Sequence, residues 1–214
     1  MPPSRSPTVF VVDDDAAIRK AVSRLLRSAG IAVAVFASPM EFLARYHRDT
    51  PGCLVLDLAM PGFDGLRLQT TLRETGSTLP IIFLTGQGDV SKSVQAMKSG
   101  AFDFLTKPVN AKNLLPAIRA AIERDAVVRR EQAELSEICA HLDTLTPRER
   151  ELLEHVVAGK LNKQIAGDLG ITEATVKMHR ARVMAKMKMQ SVAELARWME
   201  RCGIRGTNSL KSAA

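Results

Sequence analysis

Val9-Phe10-Val11-Val12-Asp13-Asp14-Asp15 is an apolar run that ends without transition in three carboxylates. A strand this continuously apolar is covered on both faces, the condition of a parallel sheet wrapped by helices. Four more short apolar runs follow: Ala32-Val33-Ala34-Val35-Phe36, Leu54-Val55-Leu56, Ile81-Ile82-Phe83-Leu84 and Phe102-Asp103-Phe104-Leu105. Between them apolar residues recur with helical period, as in Ile18, Val22, Leu25 and Leu26, and later Val94 and Met97. Gly30, Gly76 and Gly100 follow three of these stretches, where a helix end takes a left-handed residue. Five such units predict an α/β doubly wound five-stranded parallel sheet over residues 8–122.

The chain has 214 residues, more than one typical domain and few for three. Hydrophobic residues make up 46%, enough for a core, yet no window of about 18 apolar residues occurs, so no membrane span is expected. The lead Met1-Pro2-Pro3-Ser4-Arg5-Ser6-Pro7 lacks the apolar stretch of a signal peptide. Cys53, Cys139 and Cys202 are odd in number and far apart, which excludes a disulfide scaffold and a cysteine zinc site and fits a reducing cytosol. With only 7 Phe, 1 Trp and 1 Tyr, a base-stacking RNA platform is disfavoured. The net charge of +7 is uneven. Residues 1–122 carry 14 Lys and Arg against 10 Asp and Glu, residues 123–145 carry 3 against 6, and residues 146–214 carry 13 against 7. A basic end behind an acidic connector predicts a polyanion partner for that end.

From Lys112 to Leu145 there is no Gly, and the only Pro, Pro116, is expected in a first helical turn. Leu115, Ile118 and Ile122 start a helical seam, charge interrupts it from Glu123 to Glu134, and Leu135, Ile138, Leu142 and Leu145 resume it. An interrupted seam predicts a helical linker, 123–141, rather than a sustained coiled coil. Beyond Thr146 no strand pattern survives, and four short helices are expected over 142–206. Thr146-Pro147 is a cap followed by an N1 proline. Asn162 to Leu169 is a short helix, Gly170 a turn, and Thr172 caps a longer helix to about Met187. Two helices around a glycine turn, about 162–181, form a helix-turn-helix pattern. The tail from Gly206 to Ala214 is expected to fray.

Each strand of the first domain ends in a polar residue: Asp13-Asp14-Asp15 after Val12, Asp57 after Leu56, Thr85 after Leu84, and Thr106-Lys107-Pro108 after Leu105. In an open parallel sheet, ligands lie beyond the carboxyl ends of the strands. Taken singly, these residues have plain roles: Asp15 reads as the N-cap of the first helix, and Asp57 and Thr85 could be turn residues. Together they form a set of like charges that repel and call for a cation. Oxygen ligands suit a hard divalent ion, Mg²⁺ above all. A carboxylate beside such an ion can accept a phosphoryl group, and Asp57 has that position. Lys107 and Thr85 supply the ammonium and hydroxyl that stabilise phosphoryl oxygens.

The pieces Val11-Val12-Asp13-Asp14-Asp15, Leu54-Val55-Leu56-Asp57-Leu58-Ala59-Met60-Pro61-Gly62, Phe83-Leu84-Thr85-Gly86 and Phe104-Leu105-Thr106-Lys107-Pro108 resemble, in order and spacing, the receiver domains of bacterial two-component response regulators. The resemblance spans 8–122 and implies a flavodoxin-like fold with Asp57 as phospho-acceptor. It further implies Asp14 and Asp57 as direct Mg²⁺ ligands, Asp13 as a ligand through water, and the Ala59 carbonyl as the third protein ligand. Thr85 and Phe104 match the two switch positions, and Phe104 is also expected to pack as a core aromatic. Aspartyl-phosphate hydrolases are a competing reading, but their Asp-x-Asp-x-Thr signature is absent, since Asp13-Asp14-Asp15-Ala16-Ala17 stands there. No enzyme is expected.

In the second domain, residues placed at 100° intervals put Val176, Val183 and Met187 on one face of the longer helix and Lys177, Met178, Ala181, Arg182, Ala185 and Lys188 on another. From Thr172 to Lys188 five basic residues face one acid, Glu173, which favours DNA over a mixed solvated surface. Leu145-Thr146-Pro147-Arg148-Glu149-Arg150-Glu151, Asn162-Lys163-Gln164-Ile165-Ala166 and Ile171-Thr172-Glu173-Ala174-Thr175-Val176-Lys177-Met178-His179 resemble the LuxR-type helix-turn-helix. The two halves together resemble the FixJ/NarL class, with one departure: Ala181 stands where several relatives carry a basic DNA-contacting residue. The expected DNA contacts are Lys163, Thr175, Lys177, Met178 and Arg182, with Lys177 at base edges and Lys163 and Arg182 at phosphates. The combined resemblance implies a cytoplasmic transcription regulator, switched by a sensor histidine kinase at Asp57 and acting on double-stranded promoter DNA. Phosphorylation is expected to form a homodimer through a face near Ser91 to Phe104, matching a palindromic operator. The competing reading is a regulator of the same build that binds RNA or acts without phosphorylation.

Overall fold

Five parallel strands and the first five helices alternate along the chain in a computed structural model that describes residues 6–86 and 90–201, the side chains of 90–93 and 201 excepted. The strands are β1 (Thr8–Val12), β2 (Ala32–Phe36), β3 (Gly52–Asp57), β4 (Ile81–Thr85) and β5 (Asp103–Thr106). Their helices are α1 (Ala16–Ser28), α2 (Pro39–Arg45), α3 (Gly65–Glu74), α4 (Val90–Lys98) and α5 (Ala111–Asp143). The sheet order is β2-β1-β3-β4-β5, and all pairs are parallel. Because β1 pairs with β2 on one side and β3 on the other, the strand order reverses there and opens a crevice at the carboxyl ends of β1 and β3.

Strand periodicity sorts the core. Val9, Val11, Cys53, Val55, Ile82 and Leu84 pack with Val22 and Leu26 of α1 and Leu114 and Ile118 of α5. Their neighbours Phe10, Val12, Leu54, Leu56 and Phe83 face the opposite side, against Phe42 of α2, Leu68 and Leu72 of α3 and Ala96 of α4. β3 and β4 are buried throughout, whereas edge strand β5 alternates between half-buried and exposed positions. Phe104 is accordingly 43% exposed, which corrects its expected core packing. The first helix begins as its cap predicts, with the Ala17 N–H donating to Asp15 Oδ1 at 2.7 Å.

The chain divides into two compact units, 1–129 and 130–214. α5 runs unbroken for 33 residues and belongs to both. Pro116 is its sixth residue, past the first turn where it was expected, because the helix already starts at Ala111, behind the Asn110 side chain that accepts from the Lys112 N–H. A buried carboxylate fastens this helix to the first unit. Asp125 Oδ2 accepts from the Gly52 N–H at 2.8 Å and from Arg129 Nε at 2.7 Å, and Arg129 Nη2 donates to the carbonyls of Arg48 and Thr50.

Among the described residues the second unit adds α6 (Pro147–Val157), α7 (Asn162–Leu169), α8 (Glu173–Met187) and α9 (Val192–Arg201). Their apolar faces close on one core with Ile138, Leu142 and Leu145: Leu152, Leu153 and Val156 from α6, Ile165 from α7, Val176, Val183 and Met187 from α8, and Leu195 and Met199 from α9. Thr146 and Glu149 form a reciprocal capping box at the start of α6. Gly170, at φ 64°, makes the left-handed turn between α7 and α8. The tail from Gly206 to Ala214 lies outside the described residues. No described helix is long and apolar enough to cross a membrane.

Candidate functional site

Chain direction brings the polar strand ends together. Asp13 follows β1, Asp57 ends β3, Thr85 ends β4 and Lys107 follows β5, so parallel strands deliver all four to one edge of the sheet. Carboxylate oxygens of Asp13, Asp14 and Asp57 lie within 4.8 Å of one another, Asp13 and Asp57 buried and Asp14 exposed. Lys107 Nζ reaches Asp13 Oδ2 at 2.8 Å and Asp57 Oδ2 at 3.1 Å. Desolvation pushes the Asp57 carboxyl above its ordinary range, and the Asp13 charge adds to this while Lys107 opposes it. For Lys107 burial disfavours the ammonium, but its bonds to Asp13 and Asp57 outweigh that and raise its pKa.

The backbone around these groups is closely held. The Asp15 N–H donates to Asp13 Oδ1 at 2.8 Å, and the Ala59 N–H approaches Asp57 Oδ1 at 3.4 Å. Thr85 is buried, and its hydroxyl donates to the Gly86 carbonyl at 3.1 Å rather than to Asp57. Gly65, the first residue of α3, passes so close that a Cβ there would meet the Asp57 carbonyl oxygen at 2.5 Å and Phe83 Cε1 at 2.9 Å. Only glycine fits without a shift, a requirement absent from the sequence-based expectations that the pair Asp64-Gly65 could have signalled. Three carboxylates share the pocket with one ammonium, so negative charge is in excess. An all-oxygen, acidic donor set of this kind fits a hard divalent cation such as Mg²⁺.

The expected DNA contacts lie on α7 and α8. Lys163, Lys177, Met178 and Arg182 are exposed, and Thr175 is half-buried, its N–H donating to the Thr172 cap hydroxyl at 3.2 Å. The basic residues of α8 are not equivalent. Arg180 Nη1 donates to Asn162 Oδ1 at 3.0 Å, and Lys186 Nζ binds Glu149 Oε2 at 2.6 Å and the Thr144 carbonyl at 3.1 Å. Those two cations hold the unit together, leaving Lys177 and Arg182 as solvent-facing charges. The face from Ser91 to Phe104 carries exposed Val94, Met97 and Phe104, while its first side chains lie outside the described residues.

Two families match the chain: the response regulator receiver domain over residues 9–119 and the luxR family of bacterial regulatory proteins over 143–199. Nodulation protein W of Bradyrhizobium diazoefficiens is 44% identical over 196 residues, 92% of this chain and 86% of that protein. The response regulator protein TodT of Pseudomonas putida is 44% identical over 197 residues, covering 92% and 87% of the two chains. Among solved structures, the response regulator StyR superposes with a TM-score of 0.83 at 42% identity, over 92% of this chain and 99% of that one. Full-length FixJ from B. japonicum gives a TM-score of 0.57 at 39% identity, over 94% and 98%. With a receiver domain followed by a LuxR-type DNA-binding domain, and relatives of this identity along nearly its whole length, the chain belongs to the FixJ/NarL class of two-component response regulators.

Proposed function

We propose that this protein is a cytoplasmic transcription regulator whose DNA binding is switched by Mg²⁺-dependent phosphorylation of Asp57 by a sensor histidine kinase. The observation that carries the proposal is the meeting of Asp13, Asp14, Asp57 and Lys107 beyond the strand ends. A carboxylate oxygen of Asp57 attacks the phosphorus of a phosphohistidine on the kinase. The O–P bond forms as the P–N bond breaks, and the departing imidazole takes up a proton. Asp14 and Asp57, the Ala59 carbonyl and, through water, Asp13 would hold Mg²⁺, which when bound supplies positive charge against the phosphoryl oxygens. Lys107 neutralises a further oxygen, and Thr85 redirects its hydroxyl from Gly86 to the phosphoryl group. Phe104, exposed on β5, then turns inward and alters the face from about Ser91 to Phe104 on which a homodimer forms. Residues 8–122 act as the phospho-accepting unit, 123–141 as the helical connector and 142–206 as the DNA-binding unit. There Lys177 and Met178 read base edges of a palindromic promoter site, with Lys163, Arg182 and Thr175 at the backbone.

Genome-wide DNA occupancy of the phosphorylated protein tests this reading. Discrete promoter peaks that are lost in Asp57→Asn are expected. Identical peaks in Asp57→Asn would overturn the switch, and binding confined to RNA would overturn the DNA assignment.

A further inference from the structure

Arg19 lies on the first turn and a half of α1, half-buried, and belongs to none of the groups assigned so far. A single guanidinium nitrogen, Nη1, donates to the carbonyl of Asp13 at 2.7 Å and to that of Asp14 at 2.9 Å. Two consecutive peptide carbonyls are thereby turned toward one cation. The other restraints on this loop act elsewhere: the Asp13 N–H donates to the Phe36 carbonyl at 3.3 Å, the Asp15 N–H to Asp13 Oδ1 at 2.8 Å and the Ala17 N–H to Asp15 Oδ1 at 2.7 Å, while Lys107 Nζ holds Asp13 Oδ2 at 2.8 Å. No other described hydrogen bond engages either carbonyl. We infer that Arg19 is a positioning residue for the acidic site, fixing the peptide planes of Asp13 and Asp14 so that both carboxylates converge with Asp57 on a divalent cation. This rests on the metal-dependent reading of the proposed function.

Position and charge make opposite predictions here, which makes the inference testable. A positive charge beside three carboxylates repels an incoming cation, so deleting it should tighten metal binding if Arg19 acted only through its charge. If Arg19 acts by holding the two carbonyls, deletion frees the loop and the cation must order it again, so binding weakens. Arg19→Lys keeps the charge but replaces the planar fork with a flexible ammonium, which isolates the bridging geometry.

The experiment titrates Mn²⁺, as a paramagnetic probe, into the full-length wild type, Arg19→Met and Arg19→Lys, and follows the free ion by electron paramagnetic resonance. Melting temperatures without metal are recorded in parallel. The expected result is metal affinity weaker by about tenfold in Arg19→Met and by several-fold in Arg19→Lys. Labelling by acetyl phosphate should need correspondingly more Mg²⁺ but reach a maximal rate within about twofold of wild type. A folded Arg19→Met or Arg19→Lys with wild-type or tighter affinity would overturn the inference while leaving the metal-dependent reading intact. A wild type that binds no Mn²⁺ would overturn both.

Discussion

Lys186→Met separates the structural cations of α8 from the DNA-facing ones. Lys186 holds Glu149, whose carboxyl is lowered from 4.5 to about 2, first by the Lys186 bond and then by the Thr146 N–H. Unscreened, such a shift corresponds to about 3 kcal/mol. Lys186 is 36% exposed and Thr146 supplies part of the effect, so the substitution should cost about 1–2 kcal/mol at pH 7. The sign comes from linkage: the folded-state pKa is depressed, so the stabilisation is present above pH 4.5 and is lost as pH falls toward 2. At pH 2.5 the wild-type advantage should have shrunk by roughly half. Trp198, the single tryptophan, packs against the core of this unit and reports urea unfolding by fluorescence. Equal stability of wild type and Lys186→Met at pH 7, or a difference that does not change between pH 7 and pH 2.5, would refute the reasoning.

Asp125→Ala should destabilise the first unit by about 2–4 kcal/mol, because it strips the Gly52 N–H and Arg129 of a shared buried acceptor; a loss below about 0.5 kcal/mol in urea melts, within the ordinary scatter of surface substitutions, would contradict the clamp. Burial pushes the Cys53 thiol up to about 12, so a maleimide under native conditions should modify exposed Cys139 and spare Cys53, as peptide mass mapping would read. Lys177→Ala should cost about 1–3 kcal/mol on the cognate duplex and much less on scrambled DNA, whereas Lys163→Ala should weaken both alike and lower the salt slope by roughly one unit. Equal losses for Lys177→Ala on both duplexes would remove it from base reading.

The central strands were legible because β1, β3 and β4 are apolar on both faces, and parallel connection then dictates which residues gather at their ends. Asp13, Asp57, Thr85 and Lys107 are far apart in sequence, yet each follows or ends a strand, so one topological rule unites them. The exposure of Phe104 was not legible, since nothing within Asp103–Thr106 says that β5 lies at the sheet edge. The length of α5 was legible in the Gly-free stretch from Lys112 to Leu145, but what anchors it was not. The charged stretch after Ile122 looks like a break in packing, but Asp125 and Arg129 within it bond to backbone groups near residue 50. Long-range polar pairing also divides the basic residues of α8, where Arg180 and Lys186 have the same composition signal as Lys177 and Arg182. Arg19 carried no signal at all, because its partners are main-chain carbonyls.

The central claim is that the acidic site accepts a phosphoryl group on Asp57. Intact-protein mass spectrometry after incubation with acetyl phosphate and Mg²⁺ tests it most directly, with Asp57→Asn and metal-free samples beside the wild type. One phosphoryl group on the wild type, none on Asp57→Asn and none without the metal is the predicted result. Labelling of Asp57→Asn to the wild-type stoichiometry would contradict it.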